Sequence, residues 1–336
     1  MIVATTIPDI AGAIDASCVT IGNFDGVHLG HQKLIRRTVA KAEARGLTSV
    51  VVTFEPHPLR VLMGPRTPPF ITLIDQKLEL IGGLGPRVAL VLEFTRKMAA
   101  LEPREFVERY LLDGLAMREL VVGYDYAMGK GRSGDFERLK ALGDELGYGV
   151  ERLDPVLLDG AVVSSTRIRH MVQAGDVWDA RRLLGRFYRI QGRVIHGKDR
   201  GGRLLGFPTA NLKLVDELFP KPGVYAIWCE VDGEARPGVA NIGTNPTFGN
   251  DAISVEAHLL DYSGDLYDKD IRVHFVQRIR DERKFSGIDE LKQRIGTDCD
   301  LGRTILASSE AQLPETGADA RAADPSAHPS ADGRED

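Results

Sequence analysis

Two histidines three residues apart, in a glycine-rich turn after a β-branched run, carry the clearest chemistry in this 336-residue chain. In Val19-Thr20-Ile21-Gly22-Asn23-Phe24-Asp25-Gly26-Val27-His28-Leu29-Gly30-His31 the strand-like stretch stops at Gly22, a tight turn follows, and Gln32–Arg45 reads as a helix. His28 and His31 therefore stand at a helix start with both rings on one side. Backbone N–H groups at such a junction bind phosphate. Imidazole donors beside them stabilise charge that grows during displacement, without any covalent step. Gly22, Gly26 and Gly30 let the backbone approach a ligand closely. A shared metal is the other chemistry open to histidines so spaced, but no third ligand stands nearby.

Further segments carry compatible chemistry. Val121-Val122-Gly123-Tyr124-Asp125-Tyr126 ends a strand in an acidic residue, a good position for hydrogen-bonding a ribose or an adenine amino group. Ser164-Ser165-Thr166-Arg167-Ile168-Arg169 sets three hydroxyls at a helix start and two guanidiniums in its first turns, a strong phosphate grip. A second glycine-rich basic loop runs from Gly197 to Asn211 and includes Gly206-Phe207-Pro208-Thr209-Ala210-Asn211. It lacks the Gly-Lys-Ser/Thr ending of a Walker A loop, yet its N–H groups can cradle phosphate, and the Thr209 hydroxyl suits magnesium. In Val255-Glu256-Ala257-His258-Leu259, Glu256 faces away from its apolar neighbours. His57, between two prolines, and Arg280, before the last helix, are weaker candidates.

Regular elements must position these residues. Strands at Ser17–Ile21, Ser49–Phe54, Arg87–Glu93 and Glu119–Gly123 alternate with helices at Gln32–Arg45, Asp75–Leu84, Glu102–Leu112 and Asp135–Leu146. This order predicts an α/β domain with a parallel sheet and helices on both faces, whose ligands bind beyond the carboxyl ends of the strands. Short helices follow at Ser164–Ala174 and Val177–Leu184. From Tyr188 the pattern changes to β-rich runs at Tyr188–Val194, Gly223–Val231, Arg236–Ile242, Ser254–Leu260 and Ile271–Ile279, then a helix at Ile288–Leu301. That spacing fits a small antiparallel barrel or sandwich with a closing helix. The expected domains are residues 1–184 and 185–306. Residues 307–336 lack the apolar content to fold and read as a disordered tail.

Composition excludes several classes. A net charge of −5 argues against general nucleic-acid binding. Cys18, Cys229 and Cys299 are too few and too scattered for a disulfide framework or a cysteine zinc site. No apolar stretch is long enough for a membrane span, and nothing resembles a signal peptide, so a soluble cytoplasmic protein is expected. The oligomeric state is not legible.

The strings Gly22–His31, Thr53-Phe54-Glu55-Pro56-His57-Pro58, Gly123–Gly129 and Ser164–Arg169 resemble the adenylyltransferase module of bifunctional prokaryotic riboflavin kinase/FMN adenylyltransferases, or FAD synthetases. Phe207-Pro208-Thr209-Ala210-Asn211, Asn241–Phe248, Val255–Leu259 and Arg280–Phe285 resemble its riboflavin kinase module. Tyr126 and Met128 depart from the resemblance, standing where the family tends to carry Phe. The resemblance implies a Rossmann-like nucleotidyltransferase domain followed by a riboflavin kinase-like barrel. It also implies two reactions: ATP and riboflavin give FMN, then ATP and FMN give FAD and pyrophosphate.

By that resemblance His28 and His31 hold phosphates, with Gly22, Phe24, Asp25, Gly26 and Gly30 of the same turn, and Asp125 holds the nucleoside. Ser164, Ser165, Thr166, Arg167 and Arg169 form the pyrophosphate grip. Glu256 becomes the general base for the ribityl hydroxyl. Gly206, Pro208, Thr209 and Asn211 bind the kinase ATP, with Thr209 and Asn211 on Mg2+. His57 and Arg280 become flavin contacts. The competing reading is a riboflavin kinase with an inactive adenylyltransferase domain. Other adenylyltransferases share the first logic but leave the C-terminal half unexplained.

Overall fold

The computed structural model describes residues 1–195, 207–213, 218–244 and 253–313. β1 (Ile2–Ala4), β2 (Ser17–Ile21), β3 (Thr48–Phe54), β4 (Val88–Leu92), β5 (Met117–Gly123) and β6 (Gly149–Leu153) form a parallel sheet in the order β1-β4-β3-β2-β5-β6. Successive residues of its central strands enter different cores. Val19, Val50, Val52, Leu120 and Val122 join one apolar cluster, while Cys18, Val51 and Val121 join another. Both faces are thus covered, which is why these strands read as unbroken β-branched runs. The second face is closed by Leu34, Ile35 and Ala42 of α1 (Leu29–Arg45) and by Ile81 of α3 (Ile74–Gly82), with the short α2 (Pro58–Met63) between them. α4 (Phe136–Leu146) covers the first face through Leu139 and Leu142.

The expected sheet strands hold to within two residues, and β1 and β6 extend the sheet at its edges. β1 has only three residues, and β6 mixes Glu151 and Arg152 into its pattern, so neither gives a clear apolar period. The single helix expected over Glu102–Leu112 is instead an α turn at Pro103–Phe106 followed by a π turn at Val107–Leu112. The wider turn still buries Val107 and Leu111 beneath the sheet.

A hairpin, β7 (Leu157–Leu158) and β8 (Ala161–Val162), leads to α5 (Ser165–Ala174) and α6 (Val177–Leu184). Next comes a closed antiparallel barrel in the order β10-β13-β12-β11-β14-β9. Its strands are β9 (Tyr188–Ile195), β10 (Ala210–Lys213), β11 (Gly223–Val231), β12 (Glu234–Thr244), β13 (Ile253–Leu259) and β14 (Asp270–Arg280). The four-residue β10 is the strand that the sequence pattern did not reveal. Ile168, Val172, Val177, Leu183 and Leu184 of α5 and α6 share one apolar cluster with Tyr188, Tyr225, Ile227 and Phe275 of the barrel.

α7 (Ile288–Leu306) closes the barrel and runs five residues beyond its expected end. The tail expectation needs a correction at its start. Ala311 is buried in one cluster with Leu306 and Ala226, Leu313 packs against it, and the Ala311 carbonyl accepts from Trp228 Nε1 at 2.7 Å. These contacts, with an Arg181 bond to the Glu310 carbonyl, dock Ala307–Leu313, and residues 314–336 lie outside the described residues.

α7 is fastened to β14 by Asp298, only 2% exposed. Its carboxylate accepts from Arg280 Nε at 2.9 Å and lies 3.1 Å from Arg294 Nε. Asp298→Asn strips both guanidiniums of their counter-charge and is expected to destabilise the chain by about 3 kcal/mol. The urea midpoint measures it, and an unchanged midpoint would show that the clasp contributes nothing.

Candidate active site

The order of strands in the sheet reverses between the parallel neighbours β2 and β5, and the loops after both leave the same carboxyl edge. The loop after β2 is the histidine turn. His28 caps α1, its Nδ1 accepting from His31 N at 3.4 Å. The helix therefore starts three residues earlier than its periodicity suggests. That bond keeps Nδ1 unprotonated, so the proton of the neutral ring sits on Nε2. The two rings stack with centroids 3.6 Å apart, and Phe24 meets His31 edge-on at 5.3 Å. Burial, aided by the Arg186 charge, pulls His28 down to about 4. Burial pulls His31 well below its usual value, helped by His28, Lys77 and Arg186. At neutral pH both rings are uncharged hydrogen-bond donors, not cations.

The turn itself is held from outside. Phe24 (φ 48°) and Val27 (φ 38°) adopt left-handed backbone that side chains disfavour, and Gly26 (φ 84°) sits between them. The Asp25 carboxylate, 3% exposed, accepts from Ile71 N at 3.0 Å, Thr72 N at 3.1 Å and Arg169 Nη2 at 2.5 Å. Gly26 N donates to Thr72 Oγ1 at 3.0 Å. Arg186 Nη2 donates to the Gly26 carbonyl at 2.7 Å, and Gln32 Nε2 to Val27 O at 3.0 Å and Leu184 O at 2.8 Å. At Gly30 a Cβ would stand 3.1 Å from the His28 ring and would push that imidazole aside by a few tenths of an ångström.

The Ser-Ser-Thr segment meets this turn. Ser165 Oγ donates to Asp25 O at 2.8 Å, and Ser164 caps α5 by accepting from Arg167 N at 3.3 Å. Thr166 follows in the first turn of the helix. Both arginines carry structural bonds: Arg169 to Asp25 and to Pro69 O at 3.0 Å, Arg167 to Leu158 O at 3.0 Å and Ala161 O at 3.3 Å.

Asp125 stands apart from this cluster, in a cleft of about 240 Å³ that Tyr124, Phe136 and Arg152 also line. Tyr126 and Met128 pack into the sheet core beside it. His57 caps α2 by accepting from Leu59 N at 3.1 Å, lies against Phe70, and is lowered to about 4 by burial.

In the barrel, Asn211 of β10 and Asn241 of β12 are the register partners of Glu256 on β13. These three polar side chains therefore lie side by side on the face opposite Val255, Ala257 and Ile242, which are buried. Burial first, and the neighbouring Glu282 charge second, raise the Glu256 carboxyl above its usual value. Glu282 overhangs the row: a Cβ on Gly243 would come within 2.4 Å of its Oε1. His258 Nδ1 lies 2.8 Å from Pro208 O, tying the segment before Thr209 to the strand that carries Glu256. Arg280, expected near flavin, is committed to Asp298. Gly206 lies outside the described residues.

Residues 12–167 match the family model described as FAD synthetase, and residues 184–306 the one described as riboflavin kinase. The bifunctional riboflavin kinase/FMN adenylyltransferase of Pseudomonas fluorescens is 44% identical over 87% of this chain and 94% of its own length. That of Bacillus subtilis is 41% identical, over 84% and 90%. The chain belongs to the bifunctional riboflavin kinase/FMN adenylyltransferase family.

A solved structure described as a macrolide-efflux protein from Streptococcus pneumoniae shares the fold. It has a TM-score of 0.80 and 31% identity, with 90% of this chain and 98% of that one covered. Among the described residues no helix is long and apolar enough to cross a membrane. Three residues of this family member escaped the sequence reading. Asn241 and Glu282 sit within recognised segments but emerge as neighbours of Glu256 only through strand register. Lys77 gave no signal, because a lysine in an amphipathic helix reads as solvent-facing.

The buried histidines set an acid limit. Their folded values, about 4 for His28 and His57, lie below the ordinary 6.5. The stability they contribute is complete above pH 6.5 and is lost as pH falls through about 4. Urea midpoints are expected to drop between pH 6.5 and 4, with a shallower drop for His57→Gln. Equal slopes in both proteins would refute the assignment.

Proposed function

We propose that this chain makes FAD in two steps on two sites. At the barrel, riboflavin and ATP give FMN and ADP. At the histidine turn, FMN and ATP give FAD and pyrophosphate. The observation that carries the reading is the Asn211–Glu256–Asn241 row, which sets one carboxylate between two neutral amides on a half-buried barrel face. Glu256 accepts the proton of the ribityl 5′-hydroxyl as its oxygen attacks the γ-phosphorus of ATP, and the bond to the ADP oxygen breaks. A raised carboxyl is a stronger base than an ordinary one, as that transfer needs. Thr209 and Asn211 offer the oxygen donors that Mg2+ prefers, beside a carboxylate, and these are the residues that would hold it. Bound there, the metal supplies neutralisation of the developing phosphate charge.

At the first site an FMN phosphate oxygen attacks the α-phosphorus of ATP, and the bond to the β-phosphate oxygen breaks. The nucleophile is already an anion, so no base is required. Neutral His28 and His31 donate hydrogen bonds to phosphate oxygens, with the α1 N-terminus adding its dipole. Ser164, Thr166 and one of Arg167 and Arg169 receive the departing pyrophosphate, with Ser165 and Asp25 fixing the geometry. Asp125 takes the nucleoside. The partners are small molecules, and the three free buried thiols suit the cytoplasm.

Chromatography of products from riboflavin, ATP and magnesium tests both assignments. The wild type is expected to give FAD. Glu256→Gln should lose FMN formation by at least about 10²-fold yet still convert supplied FMN to FAD. His28→Ala/His31→Ala should accumulate FMN. The kinase rate should fall with acidification at a pH above the ordinary carboxylate range, because Glu256 is raised. A wild type that stops at FMN would leave only the kinase.

A further inference from the structure

Lys77 is 3% exposed, on the first turns of α3, with its backbone N bonded to Leu73 O at 2.9 Å. Its helix starts where the phosphate turn is pinned, since Ile71 N and Thr72 N donate to Asp25 and Thr72 Oγ1 accepts from Gly26 N. The ammonium feels the carboxylates of Asp25 and Glu55 and in turn acts on the rings of His31 and His57. Burial nevertheless outweighs both carboxylates and lowers Lys77. Asp25 is already filled by Arg169 and two backbone N–H groups. Among the described residues, no side chain or carbonyl accepts a hydrogen bond from Lys77 Nζ.

With no acceptor among the described residues, the Nζ still keeps some solvent contact, so its three N–H donors are open to a ligand. Of the other cations at this turn, Arg169 faces the Asp25 carboxylate, while Arg186 and Arg167 donate to the carbonyls of Gly26, Leu158 and Ala161, and Arg186 Nε has no partner among the described residues. The stacked histidines are neutral. An anion entering between the turn and α3 would find at Lys77 a positive charge on the α3 side, beside the arginines that reach the turn from α5 and the α6–β9 link.

We propose that Lys77 is a phosphate ligand of the adenylyltransferase site, its ammonium binding a phosphoryl oxygen of FMN or ATP. This rests on the adenylyltransferase reading of the histidine turn. The ligand class is a phosphate ester or anhydride, with Lys77 as its point cation on the α3 side and neutral imidazoles alongside.

Steady-state kinetics on the full chain test it with Lys77→Met and Lys77→Gln. FMN is varied at saturating ATP, then ATP at saturating FMN. A rise in KM of about tenfold or more is expected in one arm, the scale of a charge-assisted hydrogen bond. A rise in the FMN arm assigns the flavin phosphate, and one in the ATP arm the triphosphate. Kinase turnover by the same preparations should stay within about twofold of wild type. The Tm should hold or rise, because a charge that burial disfavours has been removed. Both KM values within about twofold of wild type overturn the proposal, whatever happens to kcat. So does a lowered Tm with lost kinase activity in both variants, which would make Lys77 structural. A wild type that forms no FAD from supplied FMN and ATP would instead refute the reading beneath it.

Discussion

The buried carboxylate of Asp25 is the constraint from which the first site follows. A carboxylate removed from water must be matched by donors, and Asp25 draws its donors from segments far apart in the chain: Ile71 and Thr72 before α3, and Arg169 on α5. Satisfying one charge thus brings the glycine-rich turn, the helix of Lys77 and the helix of the serine cluster to a single point. The same matching holds Phe24 and Val27 in left-handed backbone, which few local interactions could sustain. It also removes Gly26 N from the set of donors open to a ligand, since that N–H goes to Thr72. What the turn presents to phosphate is then the α1 start and its two imidazoles.

The barrel takes part in that arrangement. Arg186, between α6 and β9, donates to the carbonyl of Gly26, and Gln32 of α1 reaches the carbonyl of Leu184. On α3, Lys77 points into the buried side, while Glu79 pairs with Arg189 of β9 and Arg272 of β14. A short helix with one face beside the histidine turn and another on the barrel ties the two halves together. The shared apolar cluster of α5, α6 and the barrel adds hydrophobic burial to these polar ties.

Sequence patterns revealed the elements whose period was strong and hid those whose role depends on distant partners. β2, β3 and α6 appear as apolar runs with clear ends, because their own residues carry the signal. β10, with four residues, and β6, with charges on a half-buried edge, do not. The histidine turn and the serine cluster were legible as motifs, but the duty of each residue was not. Asp25, Arg167, Arg169, His57 and Arg280 all read as ligand contacts, and the fold gives each of them a bond that shapes the protein. Charge and hydrogen-bonding capacity are visible in a residue type; the donor or acceptor that consumes them is set by tertiary structure. Lys77 is the converse case, a polar residue buried by the fold, to which the proposed site gives a ligand for a partner.

The two halves also differ in the electrostatics they impose, and the difference matches their nucleophiles. A ribityl hydroxyl is neutral and must lose a proton as it attacks, so its site needs a base, and the barrel raises Glu256 by burial and by Glu282. A phosphate monoester is already charged and must instead be held close to another phosphate against their repulsion. Protonated histidines there would bind the ground state strongly and lose that charge near neutral pH. In the proposed site, neutral stacked imidazoles, a helix dipole and a lysine would relieve the repulsion with donors whose state barely changes across that range. One chain thus runs two phosphorus chemistries by raising a carboxyl in one site and holding imidazoles neutral in the other, and burial drives both shifts.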